Sequence, residues 1–152
     1  MAMDITYSRT HDRKFIHSCM TSPAVWRMSF NDSLGKVNPD LFFIKKDWPF
    51  YYLRVDPDMG LLIGDPKGNK EYEVHVALLP EAKGYAVEIC RGAIDWFFEN
   101  EDVDCLSTAI PSFNHLSMRL AKMVGMMSTG TRHGAFLQHG RAYDLHLFEI
   151  RR

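Results

Sequence analysis

The stretch Tyr72 to Ala86 holds the residues whose types and order could do chemistry. The alternating run from Tyr72 through Glu73, Val74, His75, Val76, Ala77 and Leu78 predicts a strand. It passes Leu79-Pro80 into Glu81-Ala82-Lys83-Gly84-Tyr85-Ala86, and an amphipathic run then predicts a helix from about Tyr85 to Glu99. The first N–H groups of a helix have no partner inside it, and the helix dipole is positive at that end. A strand, a short glycine loop and a helix start therefore make a place where an anion such as a phosphate can sit. Gly84 permits close backbone approach, and Ala86 is too small to block it. The plain alternative is an ordinary strand-to-helix turn. Glu73 and His75 lie two apart on the strand, hence on one face, and offer a carboxylate and an imidazole for proton transfer. Their alternative is the solvent side of an antiparallel strand.

The elements that must position this stretch follow from period and punctuation. Met3 to Tyr7 predicts a strand with Met3, Ile5 and Tyr7 on one face, and residues 11–19 predict a helix. Ser22 as N-cap and Pro23 in the first turn open a second helix, which carries Val25, Trp26 and Phe30 and ends near Asn31 to Gly35. Residues 36–49, with Pro39 and Pro49, have no regular period. A meander follows: Tyr51 to Val55, the turn Asp56 to Gly60, Leu61 to Gly64, the turn Pro66-Lys67-Gly68-Asn69, and Tyr72 to Leu79. The long helix presents Ile89, Ala93, Trp96 and Phe97 to a core. Val103 to Ile110 reads as a buried strand, and residues 113–124 as a helix with Leu116, Leu120 and Val124 inward. Met126 to Arg132 and Tyr143 to Ile150 predict two last strands, with a turn at His139-Gly140. The expected order is β-αα-βββ-α-β-α-ββ.

Four segments resemble, in order, the GNAT acetyltransferases. Val74 to Ala86 is similar to their central motif, Gln/Arg-x-x-Gly-x-Gly/Ala after a strand. Asn114, Ser117 and Gly125 fall in the pattern Asn-x-x-Ser, seven residues, Gly of the branch that includes ribosomal-protein N-terminal acetyltransferases. Gly140-Arg141-Ala142-Tyr143-Asp144 resembles that branch's final-strand opening, and Ser22-Pro23-Ala24-Val25-Trp26 its substrate-side helix. The likeness covers residues 3–150 and implies the α/β (α+β) GNAT fold, a mixed central sheet of about six to seven strands with helices on both faces. It implies transfer of an acetyl group from acetyl-CoA to a primary amine, on a small molecule or a protein N-terminus. The backbone from Val76 to Leu78 would then meet the thioester carbonyl, Leu79 would also touch the cofactor, and Ala82, Lys83, Gly84, Tyr85 and Ala86 would cradle the pyrophosphate. Asn114 would cap its helix or bond the pantetheine arm, and Glu73 or His75 would take the proton of the amine.

The chain also departs from the family pattern. Glu81 stands where the family has Gln or Arg, Met126 where Phe is usual, and Ala121 where many relatives carry a general-acid tyrosine. Ser117 and Tyr143 become the candidates to protonate the leaving thiolate. These departures keep a second function open, a GNAT-fold binding or assembly protein whose chemistry has lapsed. A fainter likeness to GNAT-like bacteriophage head-assembly proteins would give it a virion-assembly partner.

Charge and composition narrow the partners. Lys plus Arg (18) nearly balances Asp plus Glu (19), for a net charge of -1, with no basic run. Nucleic-acid affinity rests on clustered cations, so no nucleic-acid partner is expected. No apolar run approaches the ~20 residues of a membrane span, and the N-terminal residues lack an apolar signal core, so no membrane partner and a cytoplasmic location are expected. Hydrophobic residues at 46% and charged residues at 24%, without repeat or linker, predict one globular domain over residues 1–152. A homodimer is compatible with this composition. Cys19, Cys90 and Cys105 are far apart and odd in number, which predicts reduced, structural thiols. His11, His17, His115, His133, His139 and His146 have no metal-ligand spacing, so no metal is expected.

Overall fold

Leu53 and Val55 point to one face of their strand and Tyr52 to the other, and the two faces receive different helices. The computed structural model describes residues 3–29, 31–32, 38–41 and 44–152. The elements are β1 (Thr6–Arg9), α1 (Arg13–Met20), α2 (Pro23–Ser29), a 3-10 turn at Pro39–Leu41, β2 (Tyr51–Asp56), β3 (Gly60–Gly68) and β4 (Glu71–Leu78). A second 3-10 turn at Pro80–Ala82 leads to α3 (Ala86–Asn100), β5 (Cys105–Pro111), α4 (His115–Met123), β6 (Met127–Gln138) and β7 (Arg141–Arg151). The order read from the sequence is the order observed. The strands form one seven-stranded sheet, β1-β2-β3-β4-β5-β7-β6, antiparallel except between β4 and β5.

On one face Leu53, Val55, Leu62 and Leu106 pack against Ile89, Cys90, Ala93 and Phe97 of α3. Ile110 and Phe148 extend that layer beneath Ala121 of α4. On the other face Tyr52, Leu61, Ile63 and Ala77 meet Ile16 and Cys19 of α1, with Val25 of α2 alongside. Met3, Ile5 and Tyr7 turn together toward the α3 layer, although the strand expected over Met3 to Tyr7 runs instead from Thr6 to Arg9, where it pairs with β2. Asp12 opens α1 by accepting the N–H groups of Lys14 and Phe15. Ser22 does not cap as expected: its hydroxyl donates to the Cys19 carbonyl, while its own carbonyl accepts from the Trp26 N–H. Phe30, and the expected helix end within residues 33–37, lie outside the described residues; the described α2 ends at Ser29. No helix described is long and apolar enough to cross a membrane.

Three further expectations are corrected. The β3–β4 turn falls at Asn69-Lys70, both with positive φ (51° and 57°), and Pro66 to Gly68 belong to β3. The register shifts between Pro66 and Gly68, which accommodates a proline that cannot donate to the ladder. Leu116 is 75% exposed, because the inward row of α4 runs through Leu120, Ala121 and Val124, and Leu116 lies about 140° around the helix from Ala121. Finally, β6 continues past Arg132 to Gln138, since register shifts after Ser128 and after Arg132 absorb the extra residues and restore the pairing with β7.

Candidate functional site

Only the start of β4 is paired on both sides. Its ladder with β3 runs from Glu71 to Leu78, but its parallel pairing with β5 stops after Glu71, Tyr72 and Glu73. From there β5 stays with β7 as far as Pro111. Beyond Glu73 the two strands part, and a wedge opens through the sheet beside residues 74–78. Val76 is 40% exposed there, whereas Val74 and Leu78 pack into the core. The β3 arm is held close: a side chain on Gly60, at φ 128°, would run into the Ala77 carbonyl oxygen. The Leu79 N–H donates to the Met59 carbonyl at 2.9 Å, which ties the start of the glycine loop to the turn before β3.

In that loop the expected cradle is displaced. The N–H groups of Ala82, Lys83 and Tyr85 bond inside it, to the carbonyls of Leu79 (2.9 Å), Pro80 (3.1 Å) and Ala82 (2.9 Å). The tight turns that bring the chain from β4 to α3 consume them. Among the described residues, the N–H groups of Gly84, Ala86, Val87 and Glu88 make no such bond, as befits the first turn of a helix. Gly84 has φ 87°, and no atom lies within 4 Å of where its Cβ would stand, so the space beside the loop is open. Ala82 is buried and Tyr85 half-buried in the α3 layer, so their side chains anchor the loop, while those of Glu81 and Lys83 stand in water. Open space facing unbonded helix N–H groups fits a pyrophosphate.

The predicted residues divide between the two faces of the sheet. On the α3/α4 side, Asn114 caps α4, its Oδ1 accepting the Ser117 N–H at 3.1 Å. Ser117 is half-buried in that first turn, and Ala121 is buried among Ile110, Met126 and Phe148. On the α1/α2 side stand Glu73 and His75, with His75 Nε2 3.5 Å from Glu73 Oε1. Alternation along β7 places Tyr143 on that side too, but past the end of β5, its ring edge-on to Phe113 at 4.8 Å and close to Phe136 across the hairpin. The structure thus brings together Glu73 with His75 and Asn114 with Ser117; Tyr143 belongs to a separate aromatic group.

Two residues that the sequence reading passed over complete the Glu73 neighbourhood. Lys67 Nζ lies 2.8 Å from Asp65 Oδ2 and 3.4 Å from Glu73 Oε2. Loss of hydration lowers the pKa of His75 from its ordinary value, and Lys67 adds to this, against the opposing pull of Glu73 and Asp65. A turn expected at residues 66–69 had taken Lys67 out of the strand. The turn at Asn69-Lys70, together with the one-residue register shift between Pro66 and Gly68, sets Asp65 opposite Glu73. Asp32 was passed over as well: its carboxylate accepts the N–H groups of His139 and Gly140, each at 2.8 Å, and fastens the β6–β7 turn beside α2. A hollow of about 400 Å³ beside Arg13, Lys14, His17 and Ile44 opens along α1 rather than in the wedge. All three cysteines are buried free thiols.

A mixed sheet that parts between two parallel strands, with a helix N-terminus following the first of them, is the architecture expected of an acyl-CoA-dependent acetyltransferase. The chain belongs to the GNAT acetyltransferase family: the model described as "Acetyltransferase (GNAT) domain" matches residues 7–127. Spermidine N-acetyltransferase from Vibrio cholerae, solved in complex with CoA and spermine, superposes with a TM-score of 0.76 at 18% identity, over 97% of this chain and 95% of that one. A GNAT-family acetyltransferase from Bacillus anthracis gives a TM-score of 0.58 at 18% identity, over 67% of this chain and 65% of that one, just under two thirds of its length. At these identities the likeness is one of fold. No curated protein matches the sequence.

Proposed function

We propose that this protein moves the acetyl group of acetyl-CoA to a primary amine. The observation that carries the reading is the parting of β4 and β5 after Glu73, with unbonded α3 N–H groups on one side and the Glu73–His75 pair on the other. Acetyl-CoA supplies an activated acyl group and a thiolate leaving group. Gly84, Ala86, Val87 and Glu88 present N–H groups to its pyrophosphate. The backbone of residues 74–78, unpaired on its β5 side, orients the acyl carbonyl, and the Glu73–His75 pair accepts the first proton that the ammonium must lose. The new C–N bond forms as the C–S bond breaks, and the second proton of the nitrogen passes through Ser117 or water to the thiolate. A thiol pKa near 8.5 makes that a tolerable leaving group near neutral pH.

The Vibrio cholerae protein is named for spermidine, which supports a small polyamine as acceptor; the likeness to the ribosomal-protein branch supports a protein N-terminus. Both are cations, and Asp65, Glu71 and Glu73 lie on the face they would approach. The three buried free thiols support a reducing, cytoplasmic setting. A second reading, a GNAT-fold protein that binds CoA for assembly without turnover, draws on the loop N–H groups spent internally and on the buried alanine at position 121. Release of free CoA thiol, followed with acetyl-CoA against polyamines and peptide N-termini, separates the two. Turnover on either acceptor class is expected; CoA binding without release on any of them favours the assembly reading.

A further inference from the structure

We infer that His75 is the base and that Lys67, itself held by Asp65, is the positioning residue that keeps Glu73 against it. This rests on the acetyl-transfer reading above and assigns roles within the same site. The four side chains form a line across β3 and β4: Asp65 Oδ2 to Lys67 Nζ at 2.8 Å, Lys67 Nζ to Glu73 Oε2 at 3.4 Å, and Glu73 Oε1 to His75 Nε2 at 3.5 Å. Each Glu73 oxygen therefore has its own neighbour. With Oε2 drawn to the ammonium, Oε1 is the oxygen left to face the imidazole. The negative charge of Oε1 beside Nε2, at 3.5 Å, favours the tautomer with the proton on that nitrogen and the lone pair on Nδ1.

Chemistry favours the imidazole over the carboxylate as the base. An isolated carboxyl group has a pKa near 4.3 and holds an ammonium's proton poorly at neutral pH, whereas imidazole titrates near 6.5. His75 lies two residues past the last β4–β5 pair, half-exposed on the acceptor side of the wedge. The charged groups that face it are Asp65 and Lys67 of β3 and Glu73 of its own strand. Glu71, further along, is engaged by the Ser107 hydroxyl of β5 at 2.8 Å. The lowered pKa of His75 keeps the ring neutral, and so able to accept, at pH 7. In the reaction Nδ1 takes one proton from the acceptor ammonium, the freed amine nitrogen forms the C–N bond as the C–S bond breaks with its electron pair leaving on sulfur, and the second proton of that nitrogen passes through Ser117 or water to the thiolate.

The test is the pH profile of kcat/KM in wild type, Lys67→Met, Lys67→Arg, Glu73→Gln and His75→Gln. Losing the cation should move the acid limb of Lys67→Met upward by about 0.5–1 pH unit, with KM for acetyl-CoA unchanged, and Lys67→Arg should restore the limb. Glu73→Gln should move the limb downward and lower kcat yet still turn over. His75→Gln should lower kcat by ~10²-fold or more. A Lys67→Met enzyme that is slower at every pH with its limb in place would overturn the positioning role. Turnover abolished in Glu73→Gln but kept in His75→Gln would overturn the assignment of the base. Titration of the His75 ring by NMR in wild type and Lys67→Met reads the same coupling without catalysis. There, a pKa that does not rise in the variant sinks the Lys67 role, while wild type without turnover on any amine sinks acetyl transfer and the base role with it.

Discussion

Tyr7 on β1 lays its ring where a side chain on Gly92 of α3 would stand, and its hydroxyl donates to the Ile89 carbonyl at 2.7 Å. Burial raises the phenol to about 12, so it stays a neutral donor across the ordinary pH range. The contact fastens an edge strand to the helix whose N-terminus serves the wedge. Gly92→Ala should therefore destabilise the protein by about 1–3 kcal/mol through overpacking, although alanine is the better helix former by about 1 kcal/mol. In a Tyr7→Ala background the ring is gone, and the same change should become stabilising. Denaturant unfolding of the four proteins measures this cycle; additive effects would contradict the contact.

The CoA site can be read from stability. CoA at ~100 times its dissociation constant should add about 2.7 kcal/mol and raise Tm by several degrees. Gly84→Val should abolish that shift, because it puts a branched side chain into the open space beside the loop at φ 87°. Glu81 is exposed, so Glu81→Gln should tighten binding by no more than about threefold, and less at high salt. A valine variant that binds CoA as wild type does would place the pyrophosphate elsewhere.

Asn114 should show two separable roles. Asn114→Ala removes the Oδ1 acceptor of the Ser117 N–H and should cost about 1 kcal/mol of stability, whereas Asn114→Ser keeps a cap and costs little. Both lose the side-chain amide donor, so both should weaken CoA binding by about fivefold or more if that group meets the pantetheine arm. Melting curves with and without CoA measure both effects; unchanged CoA affinity in the two variants would leave Asn114 as a cap alone.

The thiols give a pH dependence whose sign can be stated. Burial pushes Cys19 and Cys105 up to about 11 and Cys90 up to about 12. Their stabilising contribution is complete below the unfolded thiol pKa near 8.5. It is lost as pH rises from there through the folded values, because the unfolded thiols ionise first. At pH 8 alkylation of the native protein should therefore be slow and should accelerate only with unfolding. Mass spectrometry of iodoacetamide-treated protein checks this, and native cysteines reacting as fast as those of a denatured sample would refute it.

The order of strands and helices was legible because alternation, helical period and Gly or Pro breakers act over a few residues. Leu53, Val55, Ile89 and Phe97 carry their burial in their own spacing. Gly84 likewise marked the loop before α3 from its position between a strand and a helix. What only the tertiary structure decided involves partners distant in sequence or a register that local pattern leaves open. A turn two residues later than expected, with a register shift between Pro66 and Gly68, brought Asp65 opposite Glu73 and Lys67 beside it. The parting of β4 from β5 after Glu73 depends on β5 following β7 instead. Asp32 reaches Gly140 across 108 positions of chain. The internal bonds of Ala82, Lys83 and Tyr85 depend on how tightly β4 must turn to lay α3 on the sheet. Local periodicity sets which face of an element is apolar; only the filling of a shared core sets which elements meet, in what register, and which backbone groups remain unbonded for a ligand.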